Sequence, residues 1–156
     1  MSRINAQTLT VVFIDNLGMN APFASLKAIA DRGPVDFIVT FPLLDLFRNG
    51  KNVLDGGDNP HRWTAFFGTD QWASVAGDHF RRGKTDDGRK ALIRLYADQL
   101  AAVGHTEFEQ SPTMRTATEA PLYRLFLFSR SPLAAKFFRE TSRWYEANGQ
   151  KPLDFG

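Results

Sequence analysis

Two apolar runs predict strands in the first half of the chain. Residues 9–15 and 35–41 are short, mostly apolar and rich in β-branched and aromatic side chains. Their apolar residues follow one another instead of alternating with polar ones, which is typical of parallel strands covered by helices on both faces. The turn-forming residues from Asp15 to Asn20 indicate that the first strand ends there.

A helix is predicted between these two strands. Apolar residues recur at the spacing of one helical face over residues 23–30. We expect Asn20 to be the N-cap, Pro22 to lie in the first turn and Gly33 to stop the helix. A strand, a helix and a second strand with short connections predict a right-handed β-α-β crossover.

After the second strand, the pattern predicts a short helix and then a loop. The helix is expected over residues 43–48 and to end at Asn49-Gly50. Residues 50–62 are polar and Gly-rich, so we expect them to form a mobile surface loop.

Two more helices are expected in the middle of the chain. The segment that ends at Trp72 leads into a short helix, and Thr69 is its expected N-cap. Thr85 is the expected cap of a long one over residues 86–103, which Gly104 ends.

The last part of the chain predicts an antiparallel hairpin and a final helix. Extended segments at residues 106–118 and 122–129 are separated by a turn at residues 119–121. Ser131-Pro132 supplies the N-cap and first residue of the helix. Its expected apolar face consists of Leu133, Phe137, Phe138, Thr141, Trp144 and Tyr145.

Composition indicates one folded domain over residues 1–156. Hydrophobic residues make up 43% of the chain, with 14 Phe and 3 Trp, enough to bury a core. No cysteine is present, which excludes disulfides and Cys-based metal centres and permits a cytoplasmic location. The net charge of +2 does not by itself indicate nucleic acid. No apolar run is long enough for a membrane span.

Four segments resemble motifs of one protein family. The end of the first strand, Asp15-Asn16-Leu17-Gly18, is similar to an Asp-Pro-aromatic-Gly motif. Residues 35–42, with Arg48 after them, resemble the next strand and helix of that family. The other two segments are Phe66-Phe67-Gly68-Thr69-Asp70-Gln71-Trp72, similar to Phe-Phe-Gly-Thr…Trp, and Pro121-Leu122-Tyr123-Arg124-Leu125-Phe126-Leu127-Phe128-Ser129-Arg130, similar to Pro-Leu-Tyr-x-Leu…Ser-Arg.

This family is TcmP, the three-Cys-motif partner proteins, and the resemblance covers roughly residues 10–143. It implies an α/β fold that corresponds to the C-terminal part of a Rossmann-like class I methyltransferase. It further implies S-adenosylmethionine as cofactor, a three-Cys-motif protein as partner and nucleic acid as a substrate class.

Departures from the family pattern leave the activity open. Asn16 replaces the motif proline and Leu17 replaces its aromatic residue. No Gly-x-Gly-x-x-Gly turn for the cofactor occurs, and we expect a truncated domain without its N-terminal cofactor-binding half. Two functions therefore stay open: an enzyme module that is inactive alone, and a non-catalytic remnant that binds a partner or nucleic acid.

Asp15 and Asn16 are the candidate catalytic residues. Ligands of open α/β sheets bind outside the carboxyl ends of the strands, where this pair is expected to lie. In amino-methylating enzymes, an Asp-Pro-Pro-Tyr-type turn accepts hydrogen bonds from the target amine, and Asp15-Asn16 offers acceptors at the same place. The alternative is that Asp15 only bonds backbone N–H groups of its own turn.

The densest basic region supplies candidate contacts to nucleic acid. Arg81, Arg82, Lys84 and Arg89 stand near Phe80, and cations beside an aromatic ring suit a phosphate backbone and its bases. The alternative is that these side chains lie on a solvent-exposed loop and helix face, where neighbouring carboxylates partly neutralise their charge. The three histidines are far apart in sequence, so no metal site is expected.

The first predicted strand is expected to form an open edge of the sheet. If no strand pairs with the outer side of residues 9–15, free N–H and C=O groups and apolar surface are exposed there. We expect self-association, domain swapping or a partner chain to cover this edge.

Overall fold

The computed structural model describes residues 9–16, 18–57, 59–115 and 121–148. They form an α/β structure with six helices and a five-stranded mixed sheet. The strands are β1 Thr10–Ile14, β2 Val35–Phe41, β3 Glu107–Gln110, β4 Met114–Arg115 and β5 Pro121–Ser129. The helices are α1 Phe23–Ala30, α2 Leu43–Leu54, α3 Pro60–Phe67, α4 Trp72–Arg81, α5 Thr85–Ala102 and α6 Pro132–Asn148.

The first two strands pair in parallel. The register runs from Thr10 opposite Val35 to Ile14 opposite Val39, and α1 connects the two strands. This confirms the predicted strand-helix-strand unit. It also brings the carboxyl ends of β1 and β2 to the same edge of the sheet.

The C-terminal strand completes the sheet. The order is β1-β2-β5-β3, and β5 is antiparallel to both of its neighbours on this path. β4 also pairs with β5, so the predicted antiparallel hairpin is confirmed. Residues 116–120, which contain most of the expected turn, lie outside the described residues.

One face of the sheet carries an aromatic core. Tyr96 of α5 is fully buried at its centre, and its ring lies 4.9–6.2 Å from five other rings. These rings belong to Phe23, Phe41, Phe66, Phe67 and Phe128. The aromatic residues therefore join β2, β5, α1, α3 and α5 into one core.

The predicted mobile loop at residues 50–62 is wrong at both ends. α2 continues through Gly50 to Leu54, and α3 begins at Pro60. Gly50 lies inside α2, where its missing side chain makes room for Phe80, whose ring would lie 2.8 Å from an added Cβ. Asn59 caps α3 by accepting a hydrogen bond from the His61 N–H at 2.9 Å.

The predicted helix caps are confirmed only in part. Ser131 accepts from the Ala134 N–H at 3.5 Å, as expected at the start of α6. Asn20 is not the cap of α1, since Pro22 occupies that position. Thr85 is the first residue of α5, and Lys84 is its cap. Thr69 is not the cap of α4, since Gln71 occupies that position, but its Oγ1 accepts a hydrogen bond from the Gln71 N–H.

Helices do not cover β1 on both faces, as the sequence suggested. Val12 and Ile14 pack against the core, but side chains that point away from it are exposed. In α6, Ala135 is the buried hydrophobic residue and the predicted apolar face turns largely to solvent. The large apolar side chains exposed on these two elements or directly before β1, each with 54–65% of its surface accessible, are Leu9, Val11, Phe13, Leu133, Phe137 and Trp144.

His105 follows α5 and is buried against β2, with its ring 4.9 Å from that of Phe37. Its Nε2 lies 2.8 Å from the Val35 carbonyl oxygen, so Nε2 carries the proton and donates it. Its Nδ1 is buried without a hydrogen-bond partner among the described residues. Burial lowers the pKa of His105, nearby Arg130 lowers it further, and the bond to Val35 and the carboxylate of Asp36 oppose this.

We expect this histidine to make stability depend on pH. Because the pKa of His105 is lower in the folded protein than its ordinary value of about 6.5, the unfolded chain binds the proton more tightly. The free energy of unfolding should therefore decline as the pH falls below about 6.5. A His105→Gln variant keeps an N–H donor and should lose this part of the decline. Urea unfolding of the wild type and of the variant across that pH range measures the two declines. Equal declines would contradict the role given to His105.

Candidate functional site

A small pocket lies where the carboxyl ends of β1 and β2 meet the beginning of β5. We call it the strand-end pocket, and its volume is about 160 Å³. Side chains from three separate parts of the chain line it: Asn16, Gly18, Thr40, Pro42, Leu44, Asp45, Leu122 and Tyr123. The parallel pairing of β1 with β2 and the antiparallel pairing of β5 with β2 bring these parts together.

Asn16 is a fixed hydrogen-bonding group in this pocket. Only 1% of its surface is accessible, and its Oδ1 accepts a hydrogen bond from the Ala21 N–H at 3.0 Å. That bond determines which way the amide points. Its Nδ2 is buried and has no partner among the described residues. Since a buried unpaired donor costs about 1–3 kcal/mol, Asn16 is a candidate donor to a ligand.

The turn after β1 is held in an uncommon backbone conformation. Gly18 and Met19 both have left-handed φ angles, of 70° and 58°. A Cβ at Gly18 would lie 3.2 Å from Oδ2 of Asp45, so a larger residue here would press on the carboxylate. Met19 is buried and not glycine, so its conformation costs on the order of 1–3 kcal/mol. Such strain is typical of functional sites.

The lining of the strand-end pocket offers complementary polar groups. Asn16 carries a buried N–H donor that has no partner among the described residues, and Asp45, in the first turn of α2, supplies a carboxylate acceptor. Tyr123 adds a half-buried aromatic ring. Because ligand pockets for whole small molecules usually measure 300–1,000 Å³, this one suits a fragment such as the edge of a base.

The structure places the two predicted catalytic residues differently. Asn16 lines the strand-end pocket, whereas Asp15 is exposed and is not part of its lining. Sequence reasoning missed Asp45 and Tyr123. Asp45 could have been found only from its position after the second predicted strand, whereas Tyr123 belongs to the Pro-Leu-Tyr segment of the family resemblance and was not given a role.

The four predicted nucleic-acid contacts differ in their exposure and in their partners. Arg81 and Arg82, at the end of α4, lie 3.2 Å and 4.0 Å from Asp78, and such exposed pairs are weak. Lys84 is exposed between α4 and α5. Arg89 pairs with Asp86 within α5 and keeps only 17% of its side-chain surface accessible.

Within the described ranges, no group of His, Asp or Glu is arranged to hold a metal ion. Among the six helices so described, none has the length and apolarity needed to cross a membrane. Compared with models of protein families, with curated proteins and with solved structures, the chain gives no match.

Proposed function

We propose that this chain is a TcmP-like domain related to S-adenosylmethionine-dependent methyltransferases, and that its strand-end pocket receives the amino group of a target, with nucleic acid as the substrate class. One observation carries the proposal: two parallel strands and an antiparallel strand bring Asn16, Asp45 and Tyr123 together at the strand ends. Ligands of open α/β sheets bind at this location. The order of strands also agrees with the second half of a class I methyltransferase fold.

The polar groups suit a base that carries an amino group beside a ring acceptor. The Asp45 carboxylate would accept a hydrogen bond from the amino group. Asn16 Nδ2 would donate to the neighbouring acceptor, which satisfies the buried donor. Adenine and cytosine both present this pair of groups. Asp15, exposed just before Asn16, would contact the part of the target outside the pocket.

The residues present do not fit the cofactor. The strand-end pocket of about 160 Å³ is too small for S-adenosylmethionine, and no Gly-x-Gly-x-x-Gly turn occurs in the sequence. The role proposed for this chain is therefore target recognition, and no methyl-transfer step is assigned to its residues.

Calorimetry and NMR test the two parts of this proposal separately. Titration with S-adenosylmethionine is expected to give no binding heat while circular dichroism shows a folded chain. Measurable binding would restore an enzymatic role to the chain alone. Titration with adenosine and cytidine, followed by amide chemical shifts, is expected to perturb the turn at residues 16–21.

Asp45→Asn is expected to weaken nucleoside binding by about 10- to 100-fold, because a hydrogen bond to a charged group contributes about 1.5–3 kcal/mol. The matched control is Asp87→Asn, which makes the same change in the first turn of α5, away from the strand-end pocket. Equal binding by wild type and Asp45→Asn would remove the pocket from the proposal.

The exposed apolar surface supports the alternative, a non-catalytic interaction domain. β1 is the last strand on its side of the described sheet, and Leu9, Val11 and Phe13 are exposed on it. A second copy of the chain, or the three-Cys-motif protein that the family resemblance implies, would cover this surface. The alternative needs no cofactor.

We expect the chain alone to self-associate in a concentration-dependent way. Phe13→Ser should shift the population toward monomer, since it removes an exposed aromatic ring from the edge strand. Val75→Ser, at a less exposed apolar position on α4, is the control and should change little. Size-exclusion chromatography with light scattering measures the mass, and a stable monomer at all concentrations would contradict self-association.

A further inference from the structure

A second and larger depression lies beside the start of β5. It measures about 460 Å³, and we call it the basic cleft. α5, β4, β5 and the segments next to them form its walls, together with the first residue of α2. The lining consists of Leu43, Asp86, Arg89, Lys90, Ile93, Thr113, Arg115, Pro121 and Arg124.

Positive charge is concentrated in the basic cleft. Its lining holds four cationic side chains and one carboxylate, Asp86, which leaves a formal charge of +3. The whole chain carries only +2. The rest of the protein is therefore slightly acidic on balance, and this cleft is where an anion would be attracted.

Arg124 is held in position by uncharged acceptors. Its Nε donates to Thr113 Oγ1 at 2.7 Å, and its Nη1 donates to Gln110 Oε1 at 2.5 Å. Neither acceptor neutralises the guanidinium. An arginine fixed in this way loses little conformational entropy when it grips a phosphate, so it is prepared for binding.

Arg89 and Arg124 both line the basic cleft. Burial lowers the pKa of Arg89, and the positive charge of Arg124 lowers it further. The two positive charges therefore repel each other, although Arg89 also pairs with Asp86. A phosphate group bound by both side chains would set two attractions against this repulsion.

The excess of positive charge extends beyond the cleft on one side. Arg124 also lines a neighbouring depression of about 300 Å³ that contains Arg139, Arg143 and one carboxylate, Glu146. Arg89 also lines a depression with Lys84, but Asp86 and Asp87 balance the two positive charges there. Arg81 and Arg82 line none of these three depressions.

We propose that the basic cleft is a phosphate-binding site, in which Arg89 and Arg124 grip the phosphate of a nucleotide or of a nucleic-acid backbone. Lys90 and Arg115 add attraction from the walls. The site uses none of the residues of the strand-end pocket and stands independently of the function proposed for that pocket. Of the four expected nucleic-acid contacts, the site keeps Arg89 and does not include Arg81, Arg82 or Lys84.

Binding of pyrophosphate, adenosine monophosphate and a short labelled oligothymidylate tests this site. The double variant Arg89→Gln/Arg124→Gln is expected to lose about 100-fold in affinity, roughly tenfold for each charged contact. The matched control is Arg81→Gln/Arg82→Gln, which removes the same charge from α4 and should bind within about threefold of wild type, as expected for exposed charges.

If Arg89→Gln/Arg124→Gln does not fold, the single variant Lys90→Gln still tests the site. Lys90 is exposed on α5, and its replacement should weaken binding by about threefold to tenfold while thermal melting stays unchanged. Failure of wild type to bind any of the three ligands at low salt would overturn the site. The site would also be overturned if Arg81→Gln/Arg82→Gln lost affinity while Arg89→Gln/Arg124→Gln bound like wild type.

The three ligands distinguish the source of the phosphate. If the oligothymidylate binds more tightly than adenosine monophosphate and its affinity falls steeply with salt, the site holds a nucleic-acid backbone. If the mononucleotide binds at least as tightly, the site holds a free nucleotide. Pyrophosphate and oligothymidylate carry no amino group for the strand-end pocket, so their binding tests the basic cleft alone and a failure of the strand-end pocket is recognisable separately.

Discussion

Tyr96→Ala is expected to lower the free energy of unfolding by about 3–5 kcal/mol, the usual cost of truncating a fully buried aromatic residue. The ring of Tyr96 contacts five other rings from β2, β5, α1 and α3. Its loss would leave a cavity that both the sheet and the helices line. Urea unfolding followed by circular dichroism measures the change.

Tyr96→Phe separates the ring from its hydroxyl. The hydroxyl is buried without a partner among the described residues, and burial raises its pKa so that it stays protonated. Removing it should leave the free energy of unfolding equal or raise it by about 1 kcal/mol. A loss as large as that of Tyr96→Ala would show that the hydroxyl, and not the ring, stabilises the core.

Gly68→Ala has the second large expected effect. Gly68 ends α3 with a left-handed φ of 71°, and an added Cβ would lie 2.6 Å from the ring of Phe23. The left-handed conformation costs a non-glycine residue about 1–2 kcal/mol. Displacing the buried Phe23 adds about 1–3 kcal/mol, as overpacked cores usually do.

The chain contains a matched control for this substitution. Gly83 has the same φ of 71°, but nothing lies within 4 Å of its would-be Cβ. Gly83→Ala should therefore show the conformational cost alone, about 1–2 kcal/mol. The difference between the two variants in thermal or urea unfolding reports the contact with Phe23. Equal losses would mean that Phe23 moves aside without cost.

The strands were predictable because their signal is local. Residues 9–15 and 35–41 are apolar over a strand length, and the segment between them has helical periodicity, so parallel pairing follows from chain connectivity. The structure confirms that pairing. The length of α2 was not predictable in this way, since the role of Gly50 depends on Phe80 from another helix.

The last helix shows a different limit of sequence analysis. Its apolar residues occupy more than one side of α6, and periodicity alone does not reveal which side meets the sheet. The side that contains Ala135 packs inward, and Arg139 of α6 pairs with Glu109 of β3. Leu133 and Trp144 are consequently exposed, although they were expected in the core.

The candidate sites were predictable only in part, where a residue followed a strand or stood in the densest basic region. Asn16 was identified because it lies at a strand end. Asp45 and Tyr123 reach the same pocket from separate elements, and nothing local in the sequence connects them. Arg124 was likewise assigned to a strand motif, and its proximity to Arg89 became visible only when β5 was placed beside β2.

The position of β5 has a consequence for the newly synthesised chain. β2 cannot complete its pairing until residues 121–129 emerge from the ribosome, because Phe41 pairs opposite Arg124. At about 5–20 residues per second, the aromatic side chains of β2 wait several seconds for this partner. We therefore expect the nascent chain to depend on chaperones during this interval, and premature termination before residue 121 to yield an aggregating product.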